Sequence, residues 1–161
     1  MLSRTAEYLY WISRYMERAE TTARLLDVGY RLSLFPSTKG YNNEWESVLA
    51  SSGAIDKYKI KYDQIIQKHV EDFLFFDEDN PSSVYNCILN ARNNALVVRT
   101  SFTPDSWLAI NKAYQEILKF KNNKYVSSDL PNLTEWTIEQ VNLFRGTISS
   151  LLRNDGYNFL F

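Results

Sequence analysis

The chain contains few of the residues from which metal centres, disulfides and turn-rich folds are built. Its 161 residues include one cysteine, one histidine, five glycines and four prolines. One cysteine excludes an intramolecular disulfide and a cysteine-rich zinc site, and one histidine excludes a multi-histidine metal centre. So little glycine and proline is untypical of disordered chains and of turn-rich β-sandwiches.

Long hydrophobic runs and an excess of one charge are missing as well. The formal net charge is -1, which argues against a nucleic-acid binder driven by bulk charge. No apolar run approaches the ~20 residues of a membrane-spanning helix, and no signal-peptide hydrophobic region follows Arg4. The composition therefore predicts a protein of the reducing cytoplasm that has no nucleic-acid or membrane partner.

Apolar residues at three- and four-residue spacing run through most of the chain, and no segment alternates with a period of two. Both features predict an all-α multi-helix bundle. Proline is absent from Ser3 to Leu34, which predicts one long N-terminal helix that ends before Pro36. Further helices are predicted around Trp45 up to Gly53, from Tyr62 to Phe73, from Pro81 (capped by Asn80) to Phe102, from Pro104 (capped by Thr103) to Leu118, and from Trp136 to Leu151.

The last nine residues, 153–161, read as the start of a new element. Aligning Arg153 with Arg4 also places Tyr157 on Tyr8, which suggests that a second copy of the first helix begins here. We therefore expect residues 1–161 to form a single helical domain or the N-terminal half of an internally duplicated helical fold.

Residues 153–161 also lead to an expectation about the oligomeric state of the protein. If half of the fold is absent, an apolar face that includes Tyr157, Phe159 and Phe161 is left uncovered. A second copy of the chain would then cover it, which predicts a homodimer through that face.

The densest polar cluster lies on the first helix. Two pairs stand four residues apart with the acid first, Glu20–Arg24 and Asp27–Arg31, and one pair stands three apart, Arg14–Glu17. All three are placed to form ion pairs on a helix surface. Arg18 falls on the opposite border of the apolar stripe from Glu20, next to Trp11, so we expect a partly buried guanidinium that needs an anionic partner. The cluster is either a solvated, salt-bridged face or a groove that binds a ligand or partner. The candidate binding residues are Arg14, Glu17, Arg18, Glu20 and Arg24.

Neither the histidine nor the cysteine is placed like a reactive group. Metal sites in helical bundles use Glu-x-x-His, but Ile66 stands three residues before His69, which falls at core spacing. Cys87 lies on the apolar stripe of its helix, where packing is the usual role of a small sulfur side chain. The sequence thus assigns no catalytic residue, no metal and no cofactor.

The first helix resembles a known family. Residues 1–7, 10–11, 14–15, 17–20 and 22–26 are similar to the opening of the bacterial alpha-E domain family, whose Glu-Arg-x-Glu hallmark corresponds to Glu17, Arg18 and Glu20. The likeness extends to residues 77–83 and 91–95 and to Trp107. Residues 153–161 resemble the family's second copy of the opening motif, which stops before its own hallmark.

The resemblance implies a helical protein that works beside an enzyme. Members of the family are encoded next to, or fused to, circularly permuted ATP-grasp enzymes and transglutaminase-like proteases. That association implies amide or peptide ligation, possible peptide modification, and an accessory role in which this chain binds an ATP-grasp-type ligase or its peptide substrate. The alternatives are an independent enzyme that uses carboxylates from both halves for metal or acid-base chemistry, and a purely structural oligomerisation bundle.

Overall fold

The computed structural model describes residues 3–35, 42–101, 103–123 and 126–151. Within these ranges it contains α-helices and short 3-10 turns but no β-strand, so the predicted all-α bundle is confirmed. The α-helices are α1 (Ser3–Ser33), α2 (Asn42–Ser51), α3 (Ile55–Lys61), α4 (Gln67–Phe75), α5 (Val84–Val97), α6 (Pro104–Asn122) and α7 (Leu130–Leu151).

The long helix α1 is the centre of the bundle. It packs against α5 and α7 along its length, and α6 contacts α5 and α7 in turn. Leu9 of α1 clusters with Ile148 near the end of α7, whereas Leu26 clusters with Leu133 near its start. The two helices therefore run antiparallel, and every side chain of α1 has a defined position relative to α5 and α7.

The short helices α2, α3 and α4 complete the core beside the second half of α1. Trp45 and Val48 of α2 pack on Gly29, where the missing side chain lets the two helices approach closely. Tyr58 of α3 is fully buried and its ring meets the ring of Phe73 in α4 edge-on. The second half of α1 is thus held by a separate layer of helices.

Several predicted helix boundaries are confirmed. α1 ends close to the expected position, and α2 is followed by Gly53 in the left-handed region at a φ of 68°. Thr103 is the N-cap of α6, because its side-chain oxygen accepts a hydrogen bond from the Ser106 amide, and Pro104 follows in the first turn.

The helix predicted from Tyr62 to Phe73 is confirmed from Gln67 onward, as α4, but its first five predicted residues are not helical. The chain forms α3 and α4 with an extended segment between them, in which Tyr62 and Ile66 both have β-region backbone angles. The hydroxyl of Tyr58 donates a 2.9 Å hydrogen bond to the carbonyl of Gln64, and the ring of Tyr58 stacks on Tyr62. The hydroxyl satisfies the Gln64 carbonyl, and together with the ring contact it favours the non-helical backbone over the helix that the apolar spacing predicts.

Both predicted ends of the next helix are also wrong. Ser83, not Asn80, is the N-cap of α5, since its side chain accepts a hydrogen bond from the Asn86 amide. Asn80 is instead buried in the preceding loop, where its side-chain amide donates to the Phe73 carbonyl. The helix stops at Val97, and a 3-10 turn (Arg99–Ser101) replaces the last turn that the apolar spacing predicted.

The predicted duplication of the first helix falls on residues that lie outside those the structure describes. Residues 153–161, with Tyr157, Phe159 and Phe161, carry this prediction and that of a homodimer through an uncovered face. Both stay predictions.

Candidate functional site

The second glutamate of the Glu-Arg-x-Glu element forms the best-defined polar cluster on α1. Arg24 donates from Nε and Nη2 to Oε1 of Glu20, at 2.9 and 2.7 Å. Nη1 of Arg145 in α7 lies 2.6 Å from the other carboxylate oxygen, Oε2. Only 11% of the Glu20 side chain is exposed. The carboxylate is therefore nearly buried, and each of its two oxygens contacts a different guanidinium.

This arrangement keeps Glu20 ionised. Burial alone raises the pKa of the carboxyl, but the hydrogen bonds and charges of Arg24 and Arg145 outweigh it, and the pKa is lowered from its usual value of 4.5. A carboxylate in this state suits an anchoring role between α1 and α7. It has no proton to donate at neutral pH.

Sequence reasoning found Glu20 and Arg24 but missed Arg145. The i,i+4 spacing on α1 predicts the first pair and the Asp27–Arg31 pair, and the i,i+3 spacing predicts the Arg14–Glu17 pair; all of them are present. No local signal marks Arg145, because its partner lies on a helix at the other end of the chain.

The other candidate residues lie at different positions around α1. Arg14 and Glu17 form an ion pair on the outer face, where about half of each side chain is exposed. Arg18 lies on the border towards α5, close enough for its charge to act on the Cys87 thiol. The five candidate residues therefore do not line one common groove on this chain: Glu20 and Arg24 face α7, and Arg18 faces α5.

The expected partial burial of Arg18 is wrong. Its side chain is exposed, and no carboxylate pairs with it among the residues that the structure describes. A long basic side chain can lie along an apolar surface and still keep its charge in water, so apolar neighbours in the helix do not require burial.

A groove of about 230 Å³ lies along the border between α1 and α5. The rings of Trp11 and Tyr15 lie side by side in its wall, with centroids 5.9 Å apart, and Asn94 of α5 faces them. Trp11 is 39% exposed, which is high for a tryptophan beside a packed helix. Arg18 stands one turn beyond Tyr15 along α1.

Arg92, in the segment similar to the family at residues 91–95, is engaged in packing. Its Nε donates a 2.9 Å hydrogen bond to Asn111, and its guanidinium lies 4.7 Å from the ring centroid of Tyr114 and 5.9 Å from that of Trp107. These contacts join α5 to α6 and occupy the guanidinium.

A larger cleft of about 690 Å³ lies beside the acidic loop that follows α4. Lys61 contacts the carboxylates of Asp77 and Asp79 at 2.7 and 3.0 Å, and these contacts, Asp77 first, raise its pKa. Lys121 pairs with Glu78 and lies over the ring of Tyr85. Sequence reasoning missed the cleft, because its two lysines come from α3 and α6, outside the acidic loop. The charges of the cleft are largely matched within the chain.

The structure places Cys87 and His69 in packing positions. Cys87 is fully buried, and its burial raises the pKa of the thiol to about 12, an effect that the charge of Arg18 partly offsets. The ring of His69 stacks on Tyr62 with a centroid distance of 4.8 Å. In the ranges described above, no three His, Cys, Asp or Glu side chains are grouped so that they could hold a metal ion.

The same ranges include no helix that combines the length and the apolar character needed to cross a membrane.

A family model, Alpha-E, described as a predicted alpha-helical domain with a conserved ER motif, matches residues 1–161. No curated protein and no solved structure matches the chain.

Proposed function

The chain belongs to the Alpha-E family, and from that premise we propose that it is a helical accessory module of an ATP-grasp-type amide or peptide ligase. In this role it binds the ligase or its peptide substrate through the region of Glu17, Arg18 and Glu20. The gene neighbourhood that the family resemblance implies supports the choice of enzyme. The arrangement of α1 supports the choice of surface.

One observation carries the proposal: Arg18 is exposed on a firmly anchored helix and has no carboxylate partner among the described residues. An arginine guanidinium presents donors in a planar fork that matches carboxylates and phosphates. The contact of Glu20 with Arg145 joins α1 to α7, while Arg24 holds the carboxylate in place on α1, and this anchoring holds Arg18 in a defined position. The two halves of the Glu-Arg-x-Glu element thus have separate roles, anchoring by Glu20 and recognition by Arg18.

The state of the carboxylates supports an accessory role over acid-base catalysis. Glu20 is ionised and bound by two arginines, and Glu17 is occupied by Arg14 on the exposed face. A general acid needs a proton at neutral pH, and a general base needs a free lone pair directed at its substrate. Glu20 meets neither need, because it is ionised and both of its oxygens are bound by arginines.

Affinity capture from the native host, with mass spectrometry of the bound proteins, tests the proposal. We expect an ATP-grasp-type ligase to be recovered with the unaltered protein, and we expect either that recovery or the ligation reaction to be lost with the Arg18→Ala variant. Arg31→Ala is the matched control, because Arg31 is on the same helix in an exposed pair with Asp27, away from the α5 side. If both variants recover the ligase equally and support equal ligation, Arg18 is not the contact and the proposal fails.

A further inference from the structure

The arginines of α1 divide into two groups according to their partners. Arg14, Arg24 and Arg31 each pair with a carboxylate on α1 itself. Arg4 and Arg18 have no carboxylate partner in the described part of the chain, and both are exposed. The ion pairs that stabilise the helix therefore leave these two guanidiniums available.

One of the two available arginines lines a groove, and the other lies beyond that groove on the same border of α1. Arg4 lines the groove between α1 and α5, and Arg18 follows Tyr15 by one helical turn on the same border. The aromatic rings of Trp11 and Tyr15 lie between them in the groove wall, opposite the amide side chain of Asn94. This order gives a cation, an aromatic platform and a second cation along one line.

We propose that this groove binds an extended acidic peptide, with carboxylates at Arg4 and Arg18 and an apolar side chain on Trp11 and Tyr15. The inference rests on the proposed function and narrows it, because it assigns the α5 side of the Glu-Arg-x-Glu element to a peptide and not to the ligase. Arginine binds carboxylates in two-point contacts, and half-exposed aromatic rings provide an apolar surface at small entropic cost.

The distance between Arg4 and Arg18 along α1 sets the spacing of the two acidic residues. Fourteen residues of helix separate Arg4 from Arg18, which is a rise of about 21 Å. An extended peptide covers that distance in about six residues. The carboxylate of Glu7 also lines the groove near its Arg4 end, and it disfavours further acids between the two ends. The preferred peptide therefore has acids at its ends and apolar or neutral residues in the middle.

Fluorescence anisotropy with three labelled heptapeptides tests the inference. The first has glutamate at both ends and leucine and alanine between, and the other two carry glutamine or lysine at the ends. We expect the glutamate peptide to bind at least about tenfold more tightly than the others, with an affinity that falls as salt is added. Arg18→Gln and Arg4→Gln should each weaken binding about tenfold, whereas Arg31→Gln, the control outside the groove, should leave it unchanged.

The outcomes separate this inference from the proposed function. Equal binding of the glutamate and lysine peptides, or equal loss in Arg31→Gln, overturns the inference. No peptide binding, together with ligase capture that still depends on Arg18, also overturns it while the proposed function stands. Circular dichroism of each variant shows whether the helices are intact. If Arg18→Gln is misfolded, the Arg4→Gln variant and the salt dependence of the unaltered protein decide the result.

Discussion

Arg145 and Glu20 are joined by a 2.6 Å contact between Nη1 and Oε2, which links the last described helix to the first. The second oxygen of the same carboxylate is held by Arg24 on α1. A single buried carboxylate thus connects the Glu-Arg-x-Glu element to the packing of α1 on α7, so this residue can be essential to the fold without touching a ligand.

Substituting Glu20 by glutamine should destabilise the protein by about 1–2 kcal/mol at neutral pH. The change removes the negative charge that two guanidiniums contact. Because both arginines are about half exposed, solvent screens these ion pairs and limits the loss of stability. Urea unfolding measures the difference. Glu17→Gln is the matched control, because its pair with Arg14 is half exposed and should be worth less than about 0.5 kcal/mol.

The contribution of Glu20 should also depend on pH. Its pKa is lowered in the folded state, so its stabilisation is fully present above the ordinary value of 4.5 and is lost as the pH falls through the folded-state value. The difference in unfolding free energy between the unaltered protein and Glu20→Gln should therefore be constant above pH 4.5 and shrink below it. A difference that stays constant into strong acid would contradict the ion-pair assignment.

Cys87 should behave as an inert thiol. Its burial raises its pKa to about 12 from 9.0, so at pH 8 the folded protein holds almost no thiolate. The reaction of the native protein with a disulfide reagent at pH 8 should be roughly 100-fold or more slower than that of the urea-unfolded chain. If the native protein reacts completely and as fast as the urea-unfolded chain, the thiol is accessible and Cys87 does not have a packing role.

The sequence predicted those features of the fold that depend on local patterns. The proline-free apolar repeat from Ser3 defines α1, and Thr103 with Pro104 defines the start of α6, because a cap and a first-turn proline act within a few residues. The i,i+4 spacing of Glu20 and Arg24 predicted their contact for the same reason.

Features that depend on contacts outside the i,i+3 and i,i+4 spacing of a helix were not predictable in this way. The break between α3 and α4 depends on a tyrosine hydroxyl that satisfies the Gln64 carbonyl. The true start of α5 depends on Asn80 being held by the carbonyl of Phe73. The contact between Arg145 and Glu20 depends on the packing of α7 against α1. Each is a tertiary contact that has no periodic signal in the sequence.

Asn80 should be one of the most sensitive polar residues outside the helices. It is 1% exposed; its amide donates to the Phe73 carbonyl at 3.0 Å, and its side-chain oxygen accepts from the Ser82 amide at 3.1 Å. Asn80→Ala leaves both backbone groups without these partners, which should cost about 1–3 kcal/mol of unfolding free energy in urea titrations. The neighbouring Asp79→Asn should change stability by less than about 0.5 kcal/mol, since the Asp79 side chain is 83% exposed and its ion pair is screened by solvent.

Two glycine-to-alanine substitutions in helices should have opposite effects. A Cβ on Gly29 would lie 2.7 Å from Cγ2 of Val48 and 3.1 Å from the ring of Trp45, so Gly29→Ala forces α1 and α2 apart and should destabilise by about 1–3 kcal/mol. A Cβ on Gly146 meets no atom within 4 Å among the described residues, so Gly146→Ala should stabilise α7 by about 0.5–1 kcal/mol. Thermal unfolding of both variants measures the two shifts. Stabilisation by both substitutions would mean that α2 does not pack on α1 as closely as the structure places it.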